Sequence, residues 1–142
     1  MRILLVPLLV SAALLAQSRD EWKQRFGSPV SETFAVRPGI GVKVKHRPDG
    51  SLAEILILPI RTDSLVESRN MTLEYGVAKN VLDELLPPSR RGKSLMGGFV
   101  NGVCMPENDC AGSSEDYENV HIFYNSSAKP GQLCCVDIRF KN

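Results

Sequence analysis

The chain has a short basic start, Met1-Arg2, and continues as an uncharged apolar run from Ile3 to Ala16. Ala16-Gln17-Ser18 then places small residues at the −3 and −1 positions before Arg19. That order is the pattern of a secretory signal peptide cleaved after Ser18. The run is shorter than the roughly twenty apolar residues that span a bilayer, and Pro7 interrupts it. No cysteine follows the cleavage region, so a lipid anchor is not expected. The expected product is a signal peptide over residues 1–18 and a single exported domain over residues 19–142, secreted or periplasmic, with no membrane span in the mature chain.

Beyond the leader the pattern changes to short amphipathic segments. Trp22 and Phe26 stand at i, i+4, so residues 18–26 read as a short helix capped by Ser18 or Asp20 and ended by Gly27. Residues 33–38 read as an extended connector. Ile40, Val42 and Val44 alternate with Lys43 and Lys45, the mark of a half-buried strand. Arg47-Pro-Asp-Gly-Ser51 is turn chemistry, and Leu52 to Leu58 returns as a more apolar, more central strand that Pro59 closes. Arg61 to Asn70 is unassigned, although Ser64 to Glu67 fits a capping box. Leu73, Val77, Val81 and Leu85 repeat every four residues, which predicts the main helix over 72–86 with Thr72 as its cap and Pro87-Pro88 as its stop. Leu95 to Cys104 reads as a glycine-rich strand with a bulge, Met105 to Asp116 as a polar loop, and Tyr117 to Tyr124 and Leu133 to Phe140 as two closing strands. The expected fold is therefore α+β, an antiparallel sheet packed on one or two helices in the order α-β-β-α-β-β(β). Each half is a helix followed by a hairpin, but the halves share too little sequence to argue a duplication.

Side-chain alternation fixes the faces of the last hairpin. Val120, Ile122 and Tyr124 belong with Val136, Ile138 and Phe140 on the core side. His121 and Phe123 then fall beside Cys135, Asp137 and Arg139 on the outer side. Cys134 is expected toward the core and Leu133 toward the outer face.

Composition narrows the chemistry. Removing Arg2 with the leader leaves sixteen basic residues against sixteen acidic. A neutral chain has no electrostatic reason to bind nucleic acid. Arg90-Arg91-Gly92-Lys93, the only basic knot, reads as a solvated loop. The four cysteines, Cys104, Cys110, Cys134 and Cys135, are disulfide candidates in an exported chain. Three pairings are open. The two crossed ones tie the segment after Gly102 to the C-terminal strand and are favoured over a strained vicinal bridge. Zinc sites use knuckles with two to four intervening residues, and these cysteines are spaced otherwise. No metal and no cofactor are expected.

The two histidines are the remaining candidates. His46 lies at a strand end, where an imidazole is commonplace. His121 can come near Asp137 across the last hairpin, a pairing able to orient an imidazole for general-base work, but no Gly-x-Ser-x-Gly elbow accompanies it. The stretch Trp22 to Pro29, followed by a hairpin with Asp49-Gly50, resembles small exported helix-plus-hairpin modules such as the outer-membrane assembly lipoproteins of the BamE type. The likeness covers about a third of the mature chain; the lipid-attachment cysteine of those lipoproteins is missing, and no residue role or function is carried across. The leading expectation is a non-enzymatic exported domain that binds a protein or cell-envelope component through its exposed sheet face or the Met105–Asp116 loop. The alternative is a small secreted hydrolase using a His121/Asp137 cluster. A third reading has the basic knot as an exposed loop offered to a protease.

Overall fold

Alternation at period two, broken by turn residues, dominates the second half of the chain and much of the first, and a sheet is the result. The computed structural model describes residues 19–27, 32–61, 71–100 and 112–142. Helix α1 (Arg19–Phe26) leads into strands β1 (Thr33–Arg37), β2 (Ile40–His46) and β3 (Leu52–Pro59). A two-residue strand β4 (Leu73–Glu74) precedes helices α2 (Tyr75–Leu85) and α3 (Pro88–Arg91). Strands β5 (Ser94–Val100), β6 (Gly112–Tyr117), β7 (Val120–Ser126) and β8 (Gln132–Phe140) follow. All strand pairs are antiparallel, in the order β1-β2-β3-β8-β7-β6-β5, with β4 paired to the start of β8. The fold is thus a sheet-dominated α+β structure. Among the described residues no helix is long and apolar enough to cross a membrane.

The sheet buries one face. Register places Phe34, Val42, Ile57, Val136 and Tyr124 in one row across five strands, and Val44, Ile55, Ile138 and Ile122 in the next. Each of these side chains is buried. Trp22 of α1 and Ala78, Val81, Leu82 and Leu85 of α2 belong to the same buried cluster, so both helices cover the same side. Trp22 packs between Phe26 and Phe34, at centroid distances of 5.2 and 5.6 Å. Glu84 on α2 accepts from Arg25 at 3.0 Å and from Arg37 at 2.8 Å, tying α2 to α1 and β1.

Turn chemistry works as the residues dictate. Asp49 Oδ1 accepts from the Ser51 amide at 2.9 Å and its hydroxyl at 2.7 Å, and Gly50 takes φ +84°. Arg47 donates to the Leu52 carbonyl at 2.8 Å and the Phe140 carbonyl at 2.7 Å, anchoring the β2–β3 turn to the end of β8.

The faces expected for the last hairpin hold: Val120, Ile122 and Tyr124 oppose Phe140, Ile138 and Val136, while His121, Phe123 and Asn125 oppose Arg139, Asp137 and Cys135. Other expectations are corrected. Residues 33–37 are an edge strand rather than a connector, because Phe34 pairs with Val42 and enters the core. The main helix starts at Tyr75, not Thr72: Leu73 and Glu74 pair with Leu133 and Gln132, and the Thr72 hydroxyl bonds Gln132 at 2.7 Å instead of capping. Residues 112–116 are strand rather than loop, and the strand expected over 117–124 is broken by the turn at Glu118-Asn119, since Tyr117 ends β6 opposite Ser94. Leu133 lies in the core, not on the outer face, and Cys134, expected in the core, is only half-buried and outside the core cluster, because a register shift between Asn125 and Ser126 slips β8 by one residue there. Arg91 is not in a solvated loop; it ends α3 and is 2% exposed. Residues 62–70, Cys104 and Cys110 lie outside the described residues.

Ile57 is fully buried where α-helical and sheet contributions meet. Truncation of such a residue costs about 2–5 kcal/mol. Ile57→Ala is therefore expected to lower the urea unfolding free energy by about 3 kcal/mol, whereas Lys43→Ala on the opposite face should change it by less than about 0.5 kcal/mol.

Candidate functional site

The strand alternation that buries Ile and Val on one side presents charge on the other. Lys45, Glu54, Arg139, His121 and Asp116 are successive cross-strand partners, one from each of β2, β3, β8, β7 and β6. The Lys45 ammonium reaches both Glu54 oxygens at 3.0 Å. Arg139 turns along its own strand to Asp137, with Nη2 and Nε at 2.8 and 3.0 Å from Oδ2. His121 Nδ1 lies 3.1 Å from Asp116 Oδ1, and Lys141 Nζ lies 2.6 Å from the same oxygen. Phe123 is set between these charges: its ring is 4.2 Å from the His121 ring and 5.5 Å below the Arg139 guanidinium. Two polar atoms on this face are shut from water without a partner among the described residues, His121 Nε2 and Asp137 Oδ1.

The structure separates the two residues of the expected His121/Asp137 cluster. They share the outer face, but His121 engages Asp116 and Asp137 engages Arg139. Register explains this, since Asp116 stands directly across from His121 and Phe123 directly across from Asp137. The sequence signal for Asp116 was the alternation Ser114-Asp116 in Gly112–Tyr117, hidden when that stretch is read as a loop. His46, opposite Leu52 at the end of β2, is half-buried with Nε2 lacking a partner among the described residues. Cys135 faces outward opposite Asn125, whose amide nitrogen lies 3.2 Å from its sulfur. The Cys134 thiol donates to the Ser126 carbonyl at 3.7 Å, and no bridge joins Cys134 to Cys135. Among the described residues no group of three or more His, Cys, Asp or Glu side chains is placed to hold a metal ion.

A second polar assembly lies on the core side, where β6 passes beyond the aliphatic rows. Glu115 is the cross-strand partner of Ile122 and accepts from the Tyr117 hydroxyl at 3.0 Å and the Tyr124 hydroxyl at 3.2 Å. The Tyr75 ring packs on Tyr124 at 5.5 Å, so all three tyrosines of the chain meet here. Burial, with the Glu115 carboxylate beside it, pushes the Tyr124 phenol far above its ordinary value. Arg91 lies over the Tyr117 ring at 5.8 Å, donates to the Leu86 carbonyl at 3.0 Å and pairs with Asp83. The Tyr117 and Tyr124 hydroxyls and the Arg91 guanidinium all serve neighbours in the fold, so the assembly reads as a structural polar core. An inaccessible Arg91 also removes the middle of the basic knot from any protease.

No protein-family model matches the chain, and no curated protein matches it in sequence. A solved structure similar to it is that of a DUF4309 family protein (YjgB) from Bacillus subtilis. The two are 15% identical with a TM-score of 0.47, over 92% of this chain and 84% of that one. Likeness at that level carries neither a family nor an activity across.

Two outcomes follow from these contacts. The Lys141 ammonium, then His121, holds the Asp116 carboxyl below its ordinary 3.8. A carboxylate favoured in the fold stabilises fully above its unfolded pKa, and that stabilisation is lost as pH falls through the depressed one. Thermal melts of Asp116→Asn should therefore fall below those of the parent at neutral pH and converge with them in acid below that ordinary value; a pH-independent gap would contradict the contact. Arg91→Ala removes a buried charge-assisted hydrogen bond and should cost about 2–3 kcal/mol in urea unfolding, while Arg90→Ala, exposed one residue earlier, should stay within about 0.5 kcal/mol.

Proposed function

We propose that the protein is a small exported binding domain, not an enzyme, and that the outer sheet face between β3 and β6 docks a protein of the cell envelope. The observation that carries this reading is Phe123, which is only partly buried on the outer face, 4.2 Å from the His121 ring and 5.5 Å below the Arg139 guanidinium. An aromatic residue ringed by Arg139, His121 and Asp137 also has the composition of an interface centre, with aromatics and arginine enriched and a polar rim around them. The leader-like residues 1–18 support export, and the neutral mature chain favours no nucleic acid.

One observation favours a second reading. His121, oriented through Nδ1 by Asp116 with Nε2 unengaged, has the arrangement of a general base, so a secreted hydrolase built on His121 and Asp116 is the competing function. It needs Nε2, which is closed to water in this structure, to open to a nucleophile or an activated water.

A photo-cross-linking amino acid in place of Phe123, in the cell of origin, separates the readings. The binding reading expects a discrete protein adduct on a chain whose first residue is Arg19, and none from the same probe at exposed Lys129. Absence of an adduct at position 123, identical adducts at both positions, or an uncleaved leader would overturn it. Hydrolysis of ester or peptide substrates that His121→Ala abolishes would transfer the function to the second reading.

A further inference from the structure

The two ends of the sheet differ in how they are protected. A strand at the edge of a sheet presents unpaired backbone groups that another chain can pair with, and proteins guard such edges with charge, proline or a bulge. The β1 edge is guarded in all three ways. Its register shifts between Ala35 and Arg37, Arg37 is held by Glu84 at 2.8 Å, and Pro38 follows. The β5 edge, Ser94-Leu-Met-Gly-Gly-Phe-Val100, holds no charge and no proline over its seven residues. Its register shift lies at the start, between Ser94 and Met96, and from Met96 to Val100 the pairing with β6 is unbroken. β5 ends the strand order, and its outer edge has no strand partner among the described residues. Leu95, which the shift leaves without a partner on β6, is 57% exposed, more than any other large apolar side chain among the described residues.

We infer that the β5 edge pairs with the β5 edge of a second copy of this chain, antiparallel, about a two-fold axis between Gly97 and Gly98. The sequence singles out a copy as the partner, because its residue classes read alike from either end: Leu95-Met96, Gly97-Gly98, Phe99-Val100. That axis sets Leu95 opposite Val100, Met96 opposite Phe99 and Gly97 opposite Gly98, so large apolar residues meet large apolar ones and glycine meets glycine. A slip of one residue either way sets a glycine opposite Met96 or Phe99. Apolar cross-strand pairs stabilise a ladder and like charges oppose it; β5 brings the first and none of the second. A contact of this kind uses the same patch on both copies and closes at two. The axis stands normal to the sheet, so the outer faces of both copies turn to the same side. Presentation of two docking faces to one envelope surface rests on the function proposed above; the pairing itself does not.

Sedimentation velocity of the protein purified from its own cell, over a range of concentrations, reads the pairing. A dimer that dissociates on dilution is expected. Leu95→Lys, at an exposed position, should weaken it about tenfold or more, because the two-fold axis counts the change twice, while its thermal melt matches that of the parent. Ala35→Lys, exposed on the β1 edge, should leave the dimer unchanged. A photo-cross-linking amino acid at Leu95, in an equal mixture of unlabelled and isotope-labelled chains, should join peptides of opposite label at or beside Val100. A monomer at every concentration, a dimer that Leu95→Lys leaves intact or that Ala35→Lys weakens equally, cross-links confined to chains of one label, or inter-chain cross-links away from Val100 would overturn the proposal. A monomer that still gives the Phe123 adduct would remove the dimer and leave the docking function standing.

Discussion

The pairing of β3 with β8 is the contact on which the rest of the molecule depends. It is the ladder that joins the meander β1-β2-β3 to the meander formed by β5 to β8. Four pairs make it, Glu54 with Arg139, Ile55 with Ile138, Leu56 with Asp137 and Ile57 with Val136. The partners are distant in sequence, so turn geometry cannot set their register. The hydrophobic pattern does, because a one-residue slip would move Ile55 and Ile57 away from the helices and bring Leu56 and Glu54 in.

That register also writes the outer face. The row from Lys45 to Asp116 is continuous only because Glu54 meets Arg139 across the central ladder. The same alternation that completes the apolar layer under α1 and α2 therefore aligns charge and Phe123 on the far side. Stability and surface chemistry are two faces of one pairing, and substitutions at the β3–β8 seam act on both. The polar assembly around Glu115 marks where the apolar layer stops: beyond Ile122 the next residue in the row is a carboxylate, and Tyr117, Tyr124 and Arg91 close around it.

Much of this was legible in the sequence wherever period-two alternation was clean. The β2–β3 hairpin, the faces of β7 and β8 and the helix around Trp22 follow from local pattern alone. Elements decided by distant pairing were not legible. Leu73 and Glu74 have helical spacing with Val77 and Val81, yet β8 claims their backbone groups. Thr33 to Arg37 carries only one fully buried side chain, Phe34, too few for a strand signal. Gly112 to Tyr117 is polar enough to pass for a loop, which concealed both the Asp116 partner of His121 and Glu115. The burial of Arg91 had no local signal, since a guanidinium enters a core only when Asp83, the Leu86 carbonyl and the Tyr117 ring wait for it together.

Native-state hydrogen exchange tests the central role of the β3–β8 ladder most directly. The amides of Ile55, Ile57, Val136 and Ile138 should be the slowest in the chain and should exchange with a single free energy equal to that of global unfolding. Exchange of these amides at the rate of the edge strand β1, or two separate free energies for the β1–β3 and β5–β8 halves, would contradict the account.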